Sequence, residues 1–280
     1  MKKLLVCAIG CAMLLLIGCG GGGSRASMWG TIDFWWVNAD SVGKWCIIEG
    51  HKCDGFKIIP VITINEDTLP TGNTVSLTNF GFADEVTNLD DGDECKLKVD
   101  YDEGKAEATD TVPGEFVITE PDSSAILHKG NSLDIEWESS DAAQWYRLYV
   151  DIEYDYLDSN SYWQDFYYEL DTIIEGTSHT ISASTLFPSD VDTILSGNGE
   201  VYVTAVNGPK PEQGEEGNIK GDAVGFFWCS YSAKPIYFGV EQLAQRPKKE
   251  RSAEIRKRHL EELREFATEN EQGSLRRSKE

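Results

Sequence analysis

Residues 132–137 read SLDIEW. In an extended chain Leu133, Ile135 and Trp137 fall on one side and Asp134, Glu136 and Glu138 on the other, because successive side chains of a strand point to opposite faces. A helix with a buried face would place its apolar residues three and four apart. Toward the N-terminus the same short alternation recurs in TIDFWWVNAD, CIIEG, FKIIPVITI, NTVSLTNF, CKLKVDY and KAEATDTV. These segments are separated by HKCDG, LPTGN, NLDDGD and DEG, which supply the Gly, Asn and Asp that tight turns need. The pattern predicts an all-β chain with six or seven strands in a first unit, residues 29–112, and a break at Pro113-Gly114. A second unit, residues 113–240, is predicted to hold a long hairpin, with Tyr146–Tyr156 paired to Tyr162–Ile174 around LDSNS. A short helical turn is expected in FPSDVDTIL, closed by Gly197.

Within the second unit, Ile118, Pro121, Gly130, Trp137 and Tyr146 fall where Ig-like and fibronectin type III-like bacterial surface domains carry their opening turn, glycine, Trp-ended strand and Tyr-led strand. The segment VYVTAVNG, residues 201–208, resembles the penultimate strand of fibronectin type III domains, with Gly199 where that family has its tyrosine corner. The resemblance implies two tandem Ig-like antiparallel β-sandwiches, with a C-terminal α-helical tail. In that tail, residues 241–280, Ile255, Leu260, Leu263 and Phe266 lie near helical spacing among charges. Such a segment reads as a solvated helix or disordered stretch; docking on the acidic body, pairing with a partner helix and contact with anionic lipid are the sharper alternatives.

The chain opens with Met1, Lys2 and Lys3 and an apolar run from Leu4 to Ile17, a stretch short for a membrane span and suited to an export signal. Leu16-Ile17-Gly18-Cys19 resembles the lipobox of bacterial lipoproteins. That resemblance implies removal of residues 1–18 and lipidation of Cys19; residues 19–28, glycine-rich, then form a tether. Acyl chains on the thiol anchor through roughly 0.8 kcal/mol per buried methylene. Gly20 stands where the family's inner-membrane retention signal has aspartate, which implies the outer membrane or cell surface as the location.

Net charge is −23, with 40% hydrophobic and 11% aromatic residues. Residues 19–240 carry 12 Lys and Arg against 39 Asp and Glu, and residues 241–280 carry 11 against 9. So acidic a body repels phosphate backbones and argues against nucleic acid as a partner. Besides Cys19, processing would leave Cys46, Cys53, Cys95 and Cys229. Outside the cytoplasm such cysteines form disulfides by default. The stretch CIIEGHKC points to Cys46 with Cys53 across a short hairpin, Cys46 or Cys53 with Cys95 resembles an inter-sheet bridge, and Cys229 reads as unpaired. A zinc set of Cys46, His51, Cys53 and Cys95 lacks the usual close ligand clips.

Two binding sites are candidates. Asp90, Asp91, Asp93 and Glu94 surround Gly92 in a stretch that suits a hard cation such as calcium and suits ordinary turn chemistry better. Trp163, Tyr167 and Glu169 share one face of an alternating strand, opposite Phe166 and Tyr168; exposed rings beside carboxylates suit carbohydrate. The run Asp151, Glu153, Asp155 is explained by alternation alone. No G-x-S-x-G, H-E-x-x-H or phosphate-cradling loop occurs, so no catalytic residue and no enzyme is expected. The expectation is a lipid-anchored envelope protein, attached to a membrane, with a non-catalytic binding, adhesion or scaffolding role toward a surface protein or polysaccharide. A carbohydrate-binding module is the alternative, and an unrecognised hydrolase a third reading.

Overall fold

A computed structural model describes residues 26–38, 41–52, 56, 58, 60–69, 79–101, 104–210 and 217–241. Cys19, Cys53 and the tail from residue 242 lie outside the described residues. The expected lipidation site, one half of the Cys46–Cys53 pairing and the expected C-terminal helix therefore lie there too.

The first strands are β1 (Ala26–Asn38), β2 (Ser41–His51), β3 (Val61–Ile64), β4 (Asp67–Thr68), β5 (Asn79–Glu85), β6 (Glu94–Tyr101) and β7 (Gly104–Thr111). After Pro113 come β8 (Ile118–Glu120), β9 (Ile126–Leu127), β10 (Leu133–Trp137), β11 (Trp145–Asp158), β12 (Trp163–Ile174) and β13 (Ser178–Ile181). A single helical turn, α1 (Ala183–Leu186), precedes β14 (Val191–Asn207), β15 (Lys220–Gly221), β16 (Ala223–Ser232) and β17 (Ile236–Val240). The described chain is thus all-β, in mainly antiparallel sheets, with a sandwich-like arrangement.

One long sheet runs β12-β11-β14-β16-β1-β2-β5, with β17 also beside β14 and β9 beside β17. A three-stranded sheet, β13-β10-β8, and a five-stranded sheet, β15-β7-β6-β3-β4, complete the fold. Alternation explains why the sheets pack. Leu133, Ile135 and Trp137 of β10 are buried while Asp134 and Glu136 are exposed, and Trp137 meets Tyr146 of β11 edge-on at 5.5 Å. Cys95, Leu97, Val99 and Tyr101 of β6 face inward, alternating with exposed Glu94, Lys96, Lys98 and Asp100. Inner residues of the long sheet, among them Leu148, Val150 and Ile152 of β11, Val201 and Val203 of β14, Phe227 of β16 and Ile48 of β2, are wholly buried. All of these belong to one continuous apolar cluster. At about 25 cal/mol per Å2 of apolar surface removed from water, such a cluster is the main drive to fold.

The long sheet also crosses the expected division at Pro113. β1 pairs in parallel with β16, from Ala26 opposite Ala223 to Phe34 opposite Tyr231, and β15 pairs with β7. Parallel neighbours cannot be joined by a tight turn, so β1 and β16 meet only because the chain between them folds back. The sheets are consequently shared between residues 29–112 and 113–240 and do not separate at the break in sequence pattern.

Local expectations fared unevenly. The long hairpin is present, with β11 and β12 paired from Tyr146 opposite Ile174 to Leu157 opposite Trp163. The helical turn is displaced: it spans Ala183–Leu186, with the Ser182 side chain capping the Thr185 amide, and Val191–Asn207 is one strand. Gly197 ends no helix. A Cβ there would lie 2.3 Å from Tyr154 Cβ, so the glycine lets β14 pass close to β11. Gly199 is similar, because a Cβ there would meet the Phe238 ring at 2.2 Å. The segment Cys46–His51 is no hairpin either: it lies within β2, paired to β1 on one side and β5 on the other.

Candidate binding face

The hairpin of β11 and β12 turns at Asp158, whose Oδ1 accepts the amides of Asn160 (2.8 Å) and Tyr162 (2.9 Å). This side-chain mimic of a turn hydrogen bond starts β12 in a defined register. Trp163 (61% exposed) and Tyr167 (53% exposed) stand on its outer face, with Glu169 exposed on the same face. Phe166, Tyr168 and Leu170 pack inward against the core, and Phe166 stacks on Tyr154 at 4.7 Å. At a rise of about 3.3 Å per residue, the two outer rings are roughly 13 Å apart along the strand.

Cross-strand register extends this face over three further strands. Glu169 lies opposite Asp151 of β11, Asp151 opposite Glu200 of β14, and Glu200 opposite Tyr237 of β17. Like charges in directly opposed positions destabilise a sheet; tyrosine hydroxyls offset part of that cost. The Tyr167 hydroxyl lies 2.8 Å from Asp151 Oδ2 and 2.7 Å from Glu169 Oε2. The Tyr202 hydroxyl donates to Glu200 Oε2 at 2.8 Å and stands 3.3 Å from the Tyr237 hydroxyl. Tyr149 packs edge-on against Tyr202 at 5.9 Å.

Burial, reinforced by the carboxylates, raises the titration of Tyr167, and burial with the Tyr237 contact and Glu200 does the same for Tyr202. The Tyr149 phenol is pushed up to about 12, mainly by burial and then by Asp151 and Glu169. These phenols therefore stay protonated and serve as donors at neutral pH. Each hydroxyl has one proton, so Tyr167 can satisfy only one of its two carboxylates at a time. The face is rich in acceptor oxygens, those of Asp151, Glu169 and Glu200. Chemically it can take hydroxyl or ammonium donors, with Trp163 offering an apolar ring.

The acidic loop is arranged differently. Asp90 and Asp93 close a turn, with the Asp93 amide donating to the Asp90 carbonyl at 3.2 Å and the Asp90 amide to Asp93 Oδ2 at 2.8 Å. Gly92 takes the positive φ of +80° that this turn requires. Lys44 Nζ bonds the Leu89 carbonyl and pairs with Asp90 Oδ1 at 2.6 Å, Asp91 Oδ2 accepts the Glu115 amide at 3.4 Å, and Glu94 pairs with Lys96 at 2.5 Å. Turn geometry and ion pairing thus engage Asp90, Asp93 and Glu94, and Asp91 holds the Glu115 amide. Cys46 and His51 are five apart on β2 and so point to opposite faces. Among the described residues no three His, Cys, Asp or Glu side chains are grouped to hold a metal ion.

A second buried polar site lies where the five-stranded sheet meets the long one. The Asp110 side chain faces inward, only 8% exposed, with Oδ1 accepting the Thr111 amide at 2.9 Å and Oδ2 unpartnered. Burial pushes its carboxyl up to about 6 against the lowering by the Thr111 amide. Sequence reasoning missed Tyr149, Glu200, Tyr202 and Tyr237 as parts of the outer face, and Asp110 altogether. Alternation places each on a face, but only register brings them together. No family model matches the chain, and no curated protein matches it.

Proposed function

We propose that this protein is a lipid-anchored component of a bacterial envelope, attached through Cys19, that binds a surface partner without catalysis. The observation that carries the binding part is the acceptor-rich outer face of β12, β11, β14 and β17. Exposed Trp163 and Tyr167 stand beside a row of carboxylates, Glu169 opposite Asp151 and Asp151 opposite buried Glu200. Exposed rings that do not fill the core are available for recognition. Adhesion or scaffolding against a cationic or hydroxyl-rich surface follows from that chemistry. The Ig-like resemblance of residues 113–240 is consistent with such a role, although folds of this kind host many functions.

A second reading, carbohydrate capture, draws on one specific feature: Trp163 and Tyr167 lie on the same outer face as Glu169 and Asp151, rings for stacking next to acceptors for sugar hydroxyls. A glycan array with the full-length protein separates the two readings. Binding to a polysaccharide that is lost in Trp163→Ala supports the saccharide reading; silence across the array, with capture of a basic surface protein lost in Glu169→Gln, supports the protein partner. Absence of both ends the assignment of this face. Anchoring is tested by mass spectrometry of protein from a bacterial host, where an N-terminal Cys19 bearing acyl chains is expected. An intact leader or an unmodified Cys19 overturns it.

A further inference from the structure

Cys95 and Cys229 are buried free thiols on the inner faces of two sheets. Cys95 is the first inward residue of β6 and stands opposite Asp110 of β7. Cys229 is inward on β16, opposite Asn207 of β14 and Ile32 of β1. Both side chains are fully buried, and Cys95 lies near enough to the Cys229 thiol to help raise its titration. Their surroundings are tightly held. Asn207 Nδ2 donates to the Thr111 carbonyl at 3.0 Å, tying β14 to the end of β7, and Trp145 Nε1 donates to the Gly208 carbonyl at 2.9 Å. Asn218 bonds both the amide and the carbonyl of Phe227, two residues before Cys229.

We propose that Cys95 and Cys229 form a disulfide that fastens the five-stranded sheet to the long sheet. Cys95 stands opposite Asp110, and the next residue, Thr111, is bonded by Asn207, the residue opposite Cys229, so the two thiols are neighbours across the sheets. Cys46 does not compete for Cys229: it lies in the same row of the long sheet with Ile32 between them. Two strand spacings place their backbones about 10 Å apart, beyond the roughly 7 Å that a disulfide spans. The reaction is thiol–disulfide exchange with a low-molecular-weight or protein disulfide R–S–S–R. Each cysteine loses its hydrogen, the sulfurs join, and the oxidant is reduced to two R–SH. Burial raises the Cys229 thiol well above its ordinary range, with Cys95 and the nearby Asp110 carboxyl adding to the effect. The reactive thiolate is therefore scarce once the sheets have closed, so the bond forms while the core is still open and is sheltered from reductants afterward. It would close a long loop joining segments on either side of Pro113, the kind of link expected to stabilise most.

The oxidising compartment rests on the export reading above; the choice of partner rests on geometry. The test uses full-length protein from a bacterial host, with free thiols trapped by N-ethylmaleimide at lysis and peptides mapped without reduction. The expected result is a Cys95–Cys229 peptide two hydrogens lighter than its separate halves, in the same digest as an acylated Cys19 peptide. Alkylated Cys95 and Cys229 beside an acylated Cys19 overturn the disulfide and leave export intact. An unprocessed leader overturns export, and the pairing is then read after refolding the protein with oxidised glutathione, where a link from Cys95 to Cys46 or Cys53, or no link, overturns it. In melting experiments, refolding with excess reductant should lower the wild-type midpoint by about 10 °C. The Cys95→Ala/Cys229→Ala variant should lose most of that dependence; a wild type insensitive to reductant overturns the proposal.

Discussion

The long sheet presents two unlike outer faces. Over β16, β1 and β2 it is aromatic: Phe226 stacks on Trp228 at 5.5 Å and Trp35 on Trp45 at 5.9 Å. Trp29 sits opposite Phe226 and bonds Glu49 at 3.0 Å. Over β12, β11, β14 and β17 the same sheet carries tyrosines between opposed carboxylates. The inner faces differ far less, since Ile32, Ile48 and Phe227 beneath the first region and Leu148, Val150 and Val203 beneath the second are all fully buried. Inner residues answer to one requirement, the exclusion of water at native density. Exposed outer residues such as Trp163 and Tyr167 are under no such demand, so rings set beside carboxylates there are open to recognition.

Both faces belong to one sheet, and the most severe test is at the joint. Phe227→Ala on β16 should cost roughly 3–5 kcal/mol. Chemical denaturation should still show one transition, because β16 adjoins both regions; two separated transitions would mean that the faces belong to independent units. Gly208→Ala comes next. Its φ is +117°, and a Cβ would lie 2.8 Å from the Phe227 carbonyl and 2.9 Å from Asp110 Oδ2. A loss of about 1–3 kcal/mol is expected from strain alone, measured by urea unfolding.

Asp110 sharpens the contrast between buried and exposed carboxylates. Its folded-state value, about 6, lies above the ordinary aspartate value of 3.8, so the folded protein holds this proton more tightly than the unfolded chain does. The stability it contributes is complete below pH 3.8 and is lost as pH rises through 6. Asp110→Asn should therefore raise stability at pH 7 relative to pH 5, compared with the wild type, in thermal melts at the two pH values. A parallel pair of profiles would show that the carboxyl is not desolvated.

The smallest effects on stability belong to the outer faces and should differ between them. Trp163→Ala should change stability by no more than about 0.5 kcal/mol, because its ring is 61% exposed. Trp45→Ala removes a stacked, half-buried ring and should cost at least about 1 kcal/mol. Equal costs in the same denaturation assay would dissolve the distinction between a face available for binding and one engaged in packing.

Much of this was legible before the fold. Leu133, Ile135 and Trp137 could be assigned inward and Trp163, Tyr167 and Glu169 to one face from period-two alternation, which is local. Gly197 misled because its sequence context fits a helix end as well as a strand; its true role, clearance for Tyr154, depends on a strand far away in sequence. Cys229, read from the sequence as unpaired, is a free, buried cysteine in the structure. Pro113-Gly114 ended one pattern and began another, yet the sheet passes across it through β1 and β16.

The sequence by itself determined that the described chain is built of strands and which side of each is greasy, because those properties follow from neighbouring residues and the geometry of the extended backbone. Only the tertiary structure decided which strands lie side by side. The hydrogen-bonding edge of a strand is nearly the same for every residue and carries no mark of its partner. Pairings such as Ala26 with Ala223 and Cys95 with Asp110 are selected by how the whole core fills space.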